Sequence, residues 1–237
     1  MSILNKNIGP FTRRYQPNYV PSKNHRDRYD VYNPVNSIVD LKDKKILDFG
    51  CGFGNLLISS QGSIDPRNYT GIDVDPLNLK LAKRIFPHAN WLFQNLYNPM
   101  YNPYGSDVLD IKESYDVIVS YSVFTHMSYK DFLSYTDTLT QKLNQNGTLL
   151  ISIYLQDNTD IISKIKTKRS SLYGSCEELY NNQSVLYLVN NSVTENIENY
   201  KECDYLSTFY ARKFIQQHGK IYQTSLPQSF LCVDKNT

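Results

Sequence analysis

Apolar and polar positions switch between two periods along the middle of this chain. Ile46, Leu47 and Phe49 form a short apolar run, as expected of a central strand covered on both faces. The run breaks at Gly50, Gly52 and Gly54, then resumes in a helix-compatible stretch from Asn55 to Ser60, with Gly62 as its end. Tyr69-Thr-Gly-Ile-Asp73 predicts a second strand that closes on an acid. Behind Pro76, the residues Leu77, Leu81 and Ile85 recur at i, i+4 and i+8, which predicts an amphipathic helix halted by Pro87. Asn90 to Gln94 predicts a third, short strand.

From Asn95 to Ser114 the periodicity gives way to a loop rich in Asn, Pro, Tyr and Gly. Tyr115-Asp-Val-Ile-Val-Ser120 is the next strong apolar strand. Ser128 is placed to cap a helix with Phe132, Tyr135, Leu139 and Leu143 on one face. Asn144-Gln-Asn-Gly147 turns the chain into a further buried strand, Thr148 to Ile153. Strands that alternate with helices in this way predict an α/β fold with a mostly parallel sheet and right-handed crossovers.

The ends of the chain follow other rules. Residues 1–33 are polar, with prolines at 10, 17 and 21, and read as an arm. Such an arm wraps the domain or covers a ligand, with Tyr19, Arg26, Arg28 and Tyr29 as its contacts. Pro34 to Asp40 predicts a short helix. Residues 155–203 read as an insertion, a lid or substrate wall, with a helical segment (Ile161, Ile162, Ile165) and short strands near Val185 to Val189. Its run of Lys164, Lys166, Lys168 and Arg169 is either a solvated helix face or an anion-binding surface. Thr208 is expected to cap a helix that continues through Gln217. Lys220 to Thr224 and Ser229 to Val233 then predict a closing antiparallel hairpin.

Composition narrows the class. The 237 residues suit one domain, and 41% hydrophobic with 20% charged residues describes a globular chain. A net charge of +2 gives no general attraction to nucleic acid or membrane. The four cysteines lack metal-ligand spacing, and no metal site is expected. With no apolar signal core and no candidate span, a reducing, cytoplasmic setting is expected.

The chemistry concentrates at the first strand's exit. Glycines there let a ligand approach the main chain at the carboxyl edge of the sheet. Asp73 lies 23 residues after Gly50, at the end of the second strand, where a carboxylate can accept hydrogen bonds from both ribose hydroxyls. The run Gly50-Cys-Gly52-Phe-Gly54 lacks the ending of a dinucleotide fingerprint, and Leu57 stands where a further glycine would aid packing.

Asp48-Phe-Gly-Cys-Gly-Phe-Gly54 and Gly71-Ile-Asp-Val-Asp-Pro76 resemble the first two motifs of the class I S-adenosylmethionine-dependent methyltransferases. Tyr115 to Met127 is similar to that family's fourth strand and following turn, and Asn146 to Ser152 to its fifth strand. The likeness spans roughly residues 40 to 155. It implies a Rossmann-like, doubly wound sheet of seven mostly parallel strands whose last strand is antiparallel.

The resemblance also implies roles. Gly50, Cys51 and Gly52 would line the methionine end of S-adenosylmethionine, with Asp48 steadying the loop or meeting the cofactor's amino group. Asp73 would hold the ribose hydroxyls and Val74 would pack on the adenine. Asn95 stands where the family usually shows an acid near the adenine amino group, and Leu96 follows it. Ser120 would offer main-chain atoms to the methionine amino group. Methyl transfer is an in-line displacement that positioning in a dry site can accelerate, and an oxygen nucleophile gains from a general base. His126, just beyond the fourth strand, is the candidate base or an orienting group. Tyr121 and Tyr154 are candidate wall residues, whereas His25, His88 and His218 fall elsewhere.

The sequence therefore predicts a single-domain methyltransferase acting on an oxygen or nitrogen of a small or glycan-like polar acceptor. An RNA methyltransferase using the basic run, a non-catalytic cofactor-binding partner subunit and an NAD-dependent enzyme are the alternatives. A contiguous basic surface leading to the site would favour RNA.

Overall fold

A computed structural model describes residues 30–97, 102, 104–106, 108–173, 176–181, 184–189 and 206–235. The expected contacts Tyr19, Arg26, Arg28 and Tyr29 of the arm, and residues 190–205 of the insertion, lie outside the described residues.

Helix α1 (Tyr32–Asn36) leads into β1 (Ile46–Phe49), α2 (Asn55–Ser60), β2 (Tyr69–Asp73), α3 (Pro76–Ile85) and β3 (Asn90–Phe93). Then come β4 (Tyr115–Ser120), a 3-10 turn (Phe124–His126), α4 (Tyr129–Gln141) and the long β5 (Leu143–Leu155). The strands β3, β2, β1, β4 and β5 lie side by side in that order, and every neighbouring pair is parallel. β10 (Ser229–Asp234) runs antiparallel on β5, and β9 (Lys220–Tyr222) antiparallel on β10. These seven strands form the doubly wound sheet that the resemblance implies, and three more strands extend it to ten.

Local chemistry explains the boundaries. The carboxylate of Asp75 accepts the N–H of Leu77 and Pro76 opens α3 with a preset φ, so the helix starts there. Ser128 accepts the N–H of Asp131 at the start of α4. All four residues of β1 are buried, because apolar clusters lie against both faces of the sheet. Between β1 and β4 the connections diverge, one to each side, which opens a crevice at the carboxyl ends of these strands.

The described residues between 159 and 210 extend the same sheet. Helix α5 (Thr159–Tyr173) is followed by the antiparallel strands β6 (Glu177–Asn181), β7 (Val185–Val189) and β8 (Leu206–Tyr210). β8 joins the sheet by pairing parallel with Tyr154 and Leu155, the last two residues of β5. Ile161, Ile162 and Ile165 of α5 cover Leu186, Leu188 and Phe209 on one face, while Val185, Tyr187 and Tyr210 join the main core on the other.

Thr208 therefore does not cap a helix. It sits inside β8 and donates its hydroxyl to the Met127 carbonyl at 2.6 Å, and the helix that follows, α6, covers only Arg212–Ile215. Pairing with β7 and burial of Phe209 and Tyr210 overrode the local helical signal. His218 packs edge-on against Phe132 and Phe214, as an interior aromatic.

Candidate functional site

The turn after β1 is set by its glycines. Gly50 has φ +75°, and a Cβ there would lie 2.2 Å from Val123 Cγ2, so the turn after β4 rests directly on it. The N–H groups of Gly50 and Cys51 both donate to the Ile72 carbonyl, and that of Gly52 donates to Asp73 Oδ2 at 2.7 Å. The loop's first three donors are thus spent on β2 and its acid. What it turns toward the crevice is bare backbone.

Asp73 closes β2 as the hub of this corner. Its Oδ2 takes the Gly52 N–H and its Oδ1 takes the Asp75 N–H at 2.8 Å, and Val74 adds a further backbone hydrogen bond, which still leaves the carboxylate some acceptor capacity. Burial pushes its pKa up to about 6, against the lowering effect of those backbone donors. Such a carboxylate favours further hydroxyl donors.

A cavity of about 240 Å³ opens in front of it. One wall is Phe49, Gly50 and Gly52, with Ile72, Asp73 and Val74 beside them and Asn78 of α3 above. Gln94, Leu96 and Tyr97, following β3, form a second wall. Ser122, Val123, His126 and Met127, from the turn after β4, face them together with Tyr135 of α4. His126 is carried by the 3-10 turn, which is closed by its own N–H to the Val123 carbonyl at 2.9 Å.

Of the residues singled out in the sequence, the structure brings Gly50, Gly52, Asp73, Val74, Leu96 and His126 together around this cavity. It places the others differently. Asp48 is 4% exposed and its carboxylate accepts the Tyr69 hydroxyl beneath the loop. Burial, opposed by that hydrogen bond and helped by the nearby Asp73, lifts Asp48 to a pKa of about 7. Cys51 is buried and its thiol pKa is pushed well up by burial and both acids, which makes it an inert filler. Asn95 turns to the following loop, where its carbonyl takes the Ser106 N–H and its side chain takes Asn102 Nδ2. Ser120 is fully buried and donates to the Phe49 carbonyl, tying β4 to β1. Tyr121 stacks on Phe230 and Tyr154 on Phe209, so neither is among the cavity's walls.

Sequence reasoning missed Phe49, Ile72, Asn78, Gln94, Tyr97, Ser122, Val123, Met127 and Tyr135. A signal existed for some. Gln94 precedes the expected Asn95 by one residue, and its side chain pairs twice with the backbone of Asp110. Strand period places alternate residues on opposite faces, so a one-residue shift exchanges which side chain meets the cavity. None of Lys164, Lys166, Lys168 and Arg169 lines the cavity, and Lys166 pairs with Glu178 at 2.7 Å.

Residues 47–149 match the family model described as a methyltransferase domain. A curated relative, "Putative methyltransferase 235L" of Invertebrate iridescent virus 6, is 23% identical over 115 residues, 48% of this chain. The chain matches 36% of that relative's length. The PH0226 protein of Pyrococcus horikoshii superposes with a TM-score of 0.56 at 12% identity, covering 90% of this chain and 91% of its own. Magnesium protoporphyrin IX methyltransferase of Synechocystis, solved with bound S-adenosylhomocysteine, gives 0.51 at 14%, covering 94% and 91%. CalS10 of Micromonospora echinaspora, an amino pentose methyltransferase solved with bound S-adenosylmethionine, gives 0.52 at 12%, covering 89% and 91%.

Residues 47–149 are thus similar to methyltransferase domains, and the chain shares the fold of methyltransferases of known structure. The cavity lies at the carboxyl ends of β1, β2 and β4, where the doubly wound sheet changes direction. Among the described residues no helix is long and apolar enough to cross a membrane.

Proposed function

We propose that this chain transfers the methyl group of S-adenosylmethionine to an oxygen or nitrogen of a small, polar or glycan-like acceptor. The observation that carries the reading is Asp73, a buried carboxylate with spare lone pairs at the edge of a largely apolar cavity that also holds His126. A nucleoside's hydroxyl pair suits that acid, and the apolar side chains Ile72, Val74 and Leu96 beside it suit a base. When bound, the cofactor supplies a sulfonium methyl open to in-line attack by an acceptor lone pair, its sulfur leaving as a neutral thioether.

The chain's own residues do the rest. Gly50 and Gly52 allow close approach to the backbone. Phe49, Val123, Met127 and Tyr135 exclude water, which strengthens the remaining polar contacts. His126 stands on the wall facing the glycine loop, where an imidazole can take the proton that an attacking hydroxyl or amine gives up. A cavity of about 240 Å³ is sized for a small acceptor rather than a polymer.

The test is calorimetry with S-adenosylhomocysteine followed by an acceptor screen with labelled S-adenosylmethionine. Binding with a dissociation constant in the micromolar range, lost in Asp73→Ala, supports the reading; no binding removes it. Label transferred to RNA instead of sugars or small amines would replace the acceptor class. Cofactor binding with no transfer to any acceptor would instead favour the partner-subunit role.

A further inference from the structure

Ser122 is a serine in the left-handed region, with φ +61°, on the cavity wall. Glycine adopts that conformation without strain, whereas serine holds it only when its surroundings dictate it. A closed polar ring does so. The Ser122 N–H donates to Ser152 Oγ of β5 at 2.6 Å, and Ser152 in turn donates to Gln228 Oε1. Gln228 Nε2 completes the ring by donating to Ser122 Oγ at 3.1 Å and touches the Tyr154 hydroxyl at 3.4 Å. Ser152 is fully buried and Gln228 is 5% exposed, so the ring lies in the interior between the cavity wall and the start of β10.

We infer that Gln228 is a positioning residue for the site, one that holds the turn after β4 in place and aims the Ser122 hydroxyl proton into the cavity as a donor to the bound ligand. The direction of the donors carries this. Ser152 Oγ accepts the Ser122 N–H and donates its own proton to Gln228 Oε1, and the amide NH2 faces Ser122. Ser122 Oγ therefore accepts from Gln228, and its own proton is free to be donated across the cavity. The same turn carries Val123, which presses on Gly50, and His126, so a loosened ring shifts both walls together. No motif at Gln228 announces this role. It lies 106 residues from Ser122 in sequence.

The ligand part of this inference rests on the cofactor reading above. Two measurements separate the two. Amide hydrogen exchange on Gln228→Met and Ser152→Ala should show faster exchange confined to residues 121–127, with β4 and β5 as protected as in the parent. Unchanged exchange in that turn overturns the positioning role.

Calorimetry with S-adenosylhomocysteine on Ser122→Ala, Gln228→Met and the double variant should show losses of about tenfold for each single change. The double variant should lose no more than either single one, because Gln228 acts through Ser122. Additive losses, or parent-like binding in Gln228→Met, overturn the donor role. If Gln228→Met fails to fold, Ser152→Ala combined with Ser122→Ala makes the same comparison, since Ser152 sets the direction of the ring. A parent protein that fails to bind S-adenosylhomocysteine overturns the cofactor reading and the donor role with it, while the exchange result still decides whether Gln228 holds the turn.

Discussion

The carboxylate of Asp73 accepts the backbone N–H of Gly52 at 2.7 Å, so the acid that ends β2 also braces the glycine loop that ends β1. Two consequences follow for ligand binding. Removing the carboxylate deletes an acceptor for the ligand and leaves the N–H groups of Gly52 and Asp75 without their partner. Asp73→Ala should weaken S-adenosylhomocysteine by at least ~30-fold and also lower thermal stability by about 1–3 kcal/mol. Calorimetry and thermal melts check this, and loss of stability with unchanged affinity would contradict it.

The raised pKa of Asp73, about 6, makes that affinity depend on pH. Hydroxyl donors favour the ionised carboxylate, so binding should be flat above about pH 6 and weaken toward tenfold per unit below it. Titrations at pH 5, 6, 7 and 8 check the slope, and Asp73→Asn should abolish it.

Asp48 makes stability depend on pH in the opposite sense. The folded state keeps this proton up to about pH 7, whereas its ordinary pKa is 3.8, so the native protein binds more protons between those values. Stability should therefore fall as pH rises from about 4 to 7 and level off above, with Asp73 adding to the same trend up to about 6. Asp48→Asn keeps an acceptor for the Tyr69 hydroxyl without a charge, and should flatten the slope and be more stable than the parent above pH 7. Urea midpoints across that range decide it.

Two glycines with similar backbones should respond differently to alanine. Gly50→Ala meets Val123 Cγ2 at 2.2 Å as well as a left-handed φ, and should destabilise by about 2–4 kcal/mol and displace the cavity's walls. Gly62 has φ +92° and nothing within 4 Å of its Cβ, so Gly62→Ala should cost only about 1–2 kcal/mol and leave ligand affinity unchanged. Denaturant titrations with parallel calorimetry compare them.

His126→Gln should lower turnover by about 10²-fold or more while S-adenosylhomocysteine binds within about twofold of the parent. The deficit should shrink as the pH is raised and the acceptor ionises unaided. Near-normal turnover would leave His126 as a wall residue.

Much of this fold was legible in the chain itself. Apolar runs, glycine breaks and caps act within a few residues, and α2, β2, α3 and β4 occupy the ranges their patterns predict. Gly50, Asp73 and His126 were legible for the same reason, since each ends or follows a strand and so must reach the sheet's carboxyl edge. The rest needed the fold. Thr208 became a strand residue because Tyr187 of β7 pairs with it, and the end of β5 pairs with Phe209 and Tyr210 beside it, partners that no local window contains. Asp48 and Cys51 belong to the same motif as Gly50, yet both side chains are buried beneath the loop, where Asp48 meets the Tyr69 hydroxyl. Gln228 and Ser152 reach Ser122 only because β10 and β5 are paired, bringing together residues far apart along the chain. The sequence by itself determined where the backbone turns after β1 and that an acid ends β2. Only tertiary packing decided which side chains face the cavity and which of their protons are left to donate.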